Sequence, residues 1–161
     1  MPKYLIHFSV GPVQSFIDQA RKTQDMFAGS GLITHLRRKA MAYLKTAFTN
    51  SIDFITPYND DQIDEVLEEE DLRKLQHLNK LECILRTDQE INQIGKALKE
   101  GCENEFLRLA EKLLTPNEFP KHKTQISNFI ECTFAANEII DDNYKLAYLE
   151  QQELIIAIKQ S

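Results

Sequence analysis

The sequence has no tryptophan, and only five glycines, five prolines and three cysteines among 161 residues. Each scarcity excludes a class. So little glycine and proline rules out collagen-like and low-complexity disordered chains. Cys83, Cys102 and Cys132 are odd in number and far apart, with no CxxC pair and no histidine at metal-ligand spacing, so neither a disulfide framework nor a zinc site is expected. They read as reduced, buried small hydrophobes, and no metal ligand is assigned anywhere in the chain. No apolar run approaches the roughly 18 residues that a membrane span needs, and "MPKYLIHFSV" lacks a signal-peptide layout. The expectation is a cytoplasmic protein without a membrane partner.

What is present fits one soluble globular domain, taken over 1–161 with a core over 1–136 and an exit helix over 137–161. Hydrophobic residues make up 42% and charged residues 27%. The net charge of -6 argues against a free-standing nucleic-acid binder, because phosphate contacts dominate such affinity. The charge is unevenly spread. Arg21, Lys22, Arg37, Arg38, Lys39 and Lys45 face only Asp18 and Asp25 between Gly11 and Phe48, whereas Thr49 to Leu72 carries nine acids and no base. Arg37, Arg38 and Lys39 read as an exposed helix edge, with contact to RNA or a neighbouring subunit as the other reading.

Periodicity supplies the elements. "KYLIHFSV" alternates as a strand with Tyr4, Ile6 and Phe8 on one face, and Gly11-Pro12 ends it. A helix follows through Phe16, Ala20 and Phe27; Gly29 and Gly31 are expected to break it, and a second helix runs through Leu32, Leu36, Ala40, Leu44 and Phe48. "SIDFITP" and "LECILRT" are strands, separated by an acidic segment that is a short helix or a loop. Asp88 is the expected cap of a helix carrying Ile91, Ile94, Leu98, Cys102, Phe106, Leu109 and Leu113. "PNEFPKHK" reads as a loop, "QISNFIECTFAA" as the fourth strand, and Tyr144 to Lys159 as the last helix. This order gives an α+β, ferredoxin-like (βαββαβ) fold: an antiparallel four-stranded sheet with helices on one face, plus a C-terminal exit helix. That helix stops without a glycine cap, so continuation beyond Ser161 is expected.

The segment "GPVQSFIDQARKTQDMFAGSGL" concentrates the chemistry. If glycine opens the backbone at Gly29 and Gly31, a new helix starts there with free N–H groups and partial positive charge. Ser30 then caps that helix or donates its hydroxyl to a phosphate. Arg21 and Lys22 could bring charge to a triphosphate, and Gln14 could orient a base or ribose. The candidate nucleotide-binding set is Gln14, Arg21, Lys22, Gly29, Ser30 and Gly31.

"FSVGPVQSFIDQARKTQDMFAGSGLITHL" closely resembles the opening of the first palm-like domain of the large, polymerase-like subunit of type III CRISPR RNA-guided complexes, in the Cmr (type III-B) version. Gly11, Pro12, Val13, Gln14, Phe16, Ile17, Ala20, Arg21, Lys22, Asp25, Gly29, Ser30 and Leu32 carry the likeness, and "LECILRTDQ" and the last strand and helix extend it more weakly. The resemblance implies an intact subunit that, on pairing of guide and target RNA, joins ATP into oligoadenylate with magnesium held on a Gly-Gly-Asp-Asp turn of a second palm. It implies the second palm, other effector subunits and guide and target RNA as partners. The first palm is then non-catalytic, contributing to the ATP-binding face.

The residues agree with that division. A two-metal palm needs an acid at the end of its first strand and an acidic pair in the next hairpin. Here the first strand ends in Ser9, Val10 and Gly11, and neither Asp60-Asp61 nor Asp141-Asp142 follows a Gly-Gly. No catalytic residue and no activity of the chain alone are expected. A scaffold domain without nucleotide contact, or a stand-alone ferredoxin-like ligand-binding protein, are the alternatives.

Overall fold

The structure of the protein, a computed structural model, describes residues 1–11, 23–56 and 79–160, and over 23–30 the backbone alone. Its elements are β1 (Lys3–Gly11), α1 (Thr23–Ala47), β2 (Ile52–Thr56), β3 (Lys80–Arg86), α2 (Ile91–Leu113), α3 (Phe119–Ser127), β4 (Glu131–Glu138), a 3-10 turn (Ile140–Asp142) and α4 (Tyr144–Gln160). The strands form one sheet in the order β2-β3-β1-β4, with every neighbouring pair antiparallel. α1 lies between β1 and β2, and α2 and α3 lie between β3 and β4, which is the ferredoxin-like arrangement expected from the order of elements.

Alternation along β1 divides the molecule. Ile6, Phe8 and Val10 point into the main core with Leu36, Ala40 and Leu44 of α1 and Ile94, Leu98 and Cys102 of α2. Leu5 points the other way, where it meets Ile139 and Ala147, so α4 packs back across the opposite face of the sheet. β1 is central and nearly all buried because both of its faces are covered.

Five expectations need correction. α1 runs unbroken through Gly29, Ser30 and Gly31, and among the described residues no glycine has a positive φ. A helical glycine costs about 1 kcal/mol against alanine, while each buried residue of the downstream stripe contributes roughly 1.5–3 kcal/mol. Propagation from that anchored segment then adds one hydrogen bond per residue fixed. The "PNEFPKHK" loop contains the start of α3, with Pro120 in its first turn, where a missing N–H does no harm. β4 therefore starts later than "QISNF". Ile126 and Ile130 are four apart, a spacing that satisfies strand and helix alike. Asp88 is not the cap of α2; Glu90 occupies that position without a side-chain cap bond, and Asp88 lies 3.9 Å from the Met1 ammonium. Arg37 is not on an exposed edge: it is fully buried and donates to the Met41 sulfur at 3.1 Å.

Candidate functional site

Gln14, Arg21 and Lys22 lie outside the described residues, as do Pro12, Phe16, Asp60 and Asp61. Gly29 and Ser30 are placed by their helical backbone alone, so their amides stand in the helix interior rather than at a free N-terminus. Gly31 is exposed, and a Cβ built on it would meet nothing within 4 Å among the described residues. The described part of the candidate site is thus an open helix surface.

That surface continues along α1. Gly31, His35 and Lys39 are successive fourth residues and share one face. His35 Nε2 donates to Glu105 Oε1 of α2 at 2.7 Å, and Arg108 holds the same carboxylate through Nε and an Nη at 2.8 and 2.7 Å. A carboxylate that receives three charge-assisted or polar donors stays ionised. The Arg108 hydrogen bonds, then that of His35, pull Glu105 down to about 2. The result is a fixed ion cluster that ties α1 to α2 beside the exposed Lys39 and Gly31. The sequence alone does not single out His35, Glu105 and Arg108, because the pairing becomes visible only once α1 and α2 lie side by side.

A second polar group crosses the other face of the sheet. His7 on β1 stands opposite Glu82 on β3, and Ser9 opposite Lys80. His7 Nδ1 donates to Glu82 Oε1 at 3.3 Å, and Lys80 Nζ reaches the same oxygen at 3.5 Å. Those contacts, led by the His7 bond, hold Glu82 below its ordinary carboxylate value against the opposing effect of burial. The strand register was the missing signal: His7 and Glu82 both occupy the non-core phase, and antiparallel pairing of their strands puts them together.

Among the described residues no group of three or more His, Cys, Asp or Glu is placed to hold an ion. Asp141 and Asp142 follow β4 with φ of 52 and 54°, a left-handed conformation that aspartate tolerates. Asp142 forms an ion pair with Lys3, which lowers its pKa. Among the described residues no helix is long and apolar enough to cross a membrane.

A family model described as "CRISPR-associated protein Cmr2, N-terminal" matches residues 5–142, the span from β1 to the end of the 3-10 turn. No curated protein matches the chain.

Proposed function

This chain belongs to the family of the N-terminal region of the CRISPR-associated protein Cmr2, and from that premise we propose that it is the first, non-catalytic palm of a messenger-synthesising subunit. Membership makes it a domain of one subunit of a multi-subunit type III-B CRISPR effector. In our reading the domain presents the surface around Gly31 to ATP, which is completed by a second palm, and guide and target RNA reach it through the complex. Magnesium is held by the partner palm and promotes phosphoryl transfer there; the described residues of this chain offer no carboxylate set for it.

The continuous helix changes how such contact works. Amides within α1 are engaged in the helix, so they cannot cradle a phosphate as a free N-terminus would. Contact rests on side chains: Arg21 and Lys22 for charge, Gln14 for a base or ribose, the Ser30 hydroxyl, and close approach over the bare Gly31. The observation that carries the reading is the dense motif from Gly11 to Leu32 lying inside the family match.

The test uses the intact subunit with ATP and magnesium. Replacing Arg21 and Lys22 together by alanine is expected to weaken ATP binding and lower oligoadenylate yield at least tenfold, with assembly unchanged. Oligoadenylate made by this chain unaided, or unaltered ATP affinity of the double variant, would refute the proposal. The scaffold reading is favoured by one observation, the engagement of the Gly29–Gly31 amides within α1. It predicts that ATP leaves those amide signals unmoved even when the second palm is present.

A further inference from the structure

We propose that Cys102 and Cys132 form an oxidisable dithiol, a modification site that closes to an intramolecular disulfide by exchange with a low-molecular-weight disulfide such as oxidised glutathione. The two residues come from different elements and converge in one place. α2 crosses β4 with Gly95 against Phe134 at one end and the Phe106 and Phe129 rings stacked 6.1 Å apart at the other. Cys102 and Cys132 lie between these fixed contacts, in the same cluster. The Cys102 thiol is buried and donates to the Leu36 carbonyl oxygen at 3.5 Å, and Cys132 packs against the same cluster. Cys132 is only half-buried.

This asymmetry gives each sulfur a role. The neighbouring Cys102 side chain, with the nearby Lys99 ammonium, draws the Cys132 pKa down against burial and Glu103. The accessible sulfur is therefore the better thiolate, and the thiolate is the attacking form. Cys132 attacks one sulfur of oxidised glutathione and expels a glutathione thiolate, leaving a mixed disulfide. Capping Cys132 removes the influence of its sulfur, which is the largest cause of the raised Cys102 pKa. The Cys102 proton passes to the expelled thiolate, and its sulfur displaces the second glutathione as a thiolate, which takes up the proton that Cys132 released to solvent when it ionised. Two protein thiols are oxidised and one glutathione disulfide is reduced to two thiols. Cys83 takes no part: it is fully buried, and burial pushes its thiol up to about 12.

The folded chain is incubated with oxidised glutathione, then denatured, alkylated and digested for mass spectrometry. The expected product has lost two of its three alkylatable thiols and yields a crosslinked peptide pair containing Cys102 and Cys132. Cys132→Ser should abolish the crosslink and Cys83→Ser should leave it intact. A lasting glutathione adduct on Cys132 without a crosslink, a crosslink to Cys83, or three thiols surviving throughout would each overturn the proposal. Circular dichroism of each variant, taken before oxidation, establishes that it is folded, and Cys102→Ala replaces Cys132→Ser as the crosslink-blocking variant if the latter is not.

Discussion

Gly95 of α2 sits directly on the Phe134 ring of β4. A Cβ at residue 95 would lie 2.4 Å from Cδ1 and 2.7 Å from Cε1, well inside contact distance. The helix is close to the sheet because nothing protrudes there, and the ring fills the space that a side chain would take. Gly95→Ala is therefore expected to destabilise the fold by about 1–3 kcal/mol through overpacking, despite alanine's better helix propensity. Urea denaturation of the variant checks this, and an unchanged midpoint would mean that Phe134 turns aside freely.

Gly31 and Gly101 predict the reverse. Both are helical, and a Cβ on either meets nothing within 4 Å among the described residues. Each alanine replacement should raise stability by about 0.5–1 kcal/mol, since glycine's backbone entropy is no longer lost on folding. The pair also separates structure from ligand contact. Gly101→Ala should leave ATP binding by the intact subunit untouched, whereas Gly31→Ala should weaken it if the nucleotide approaches that helix surface.

Much of this architecture can be read from periodicity. The Leu36, Ala40, Leu44 and Phe48 stripe and the Ile94, Leu98 and Cys102 stripe are buried as their spacing demands. Punctuation is less legible. Gly29 and Gly31 look like a break because glycine's local preference is weak evidence against a helix anchored downstream by several buried side chains. Pro120 looks like loop although a first helical turn accepts it. Charged residues mislead for a different reason: Arg37 belongs to a basic run, yet its position on the helix puts it inside, beside Met41. The ion clusters at Glu105 and Glu82 depend on which elements become neighbours, so a linear reading gives each carboxylate without its partners.

Those carboxylates predict the acid limb of stability. Arg108 is the largest influence on Glu105 and His35 the next, and together they lower it to about 2. Its folded pKa lies below the unfolded value near 4.5, so the stabilisation is complete above that value and is lost as pH falls through about 2. Glu82 shifts in the same direction, through His7 first, and adds to the same limb. Glu105→Gln should flatten the dependence of stability on pH between about 4.5 and about 2. Arg108→Ala should flatten it more than His35→Ala, which a series of denaturation curves at stepped pH would resolve.

Gln151 decides how firmly α4 holds the sheet. It is fully buried, and Nε2 donates to the Leu5 carbonyl at 2.8 Å and the Ala135 carbonyl at 3.4 Å. Its Oε1 has no hydrogen-bond partner among the described residues. The donated bonds contribute about 0.5–1.5 kcal/mol each, while a buried polar atom left unpaired costs about 1–3 kcal/mol. The two effects nearly cancel, so an apolar residue of similar volume should serve almost as well. Gln151→Met is expected to change stability by less than about 1.5 kcal/mol. Gln151→Ala also loses the packing against Leu5 and Ala135, and should cost about 2–4 kcal/mol. Hydrogen exchange locates the loss: in the alanine variant α4 amides should exchange faster while those of β1 and β3 keep their protection. Equal weakening in both variants would mean that the hydrogen bonds, rather than the filled volume, keep the helix in place.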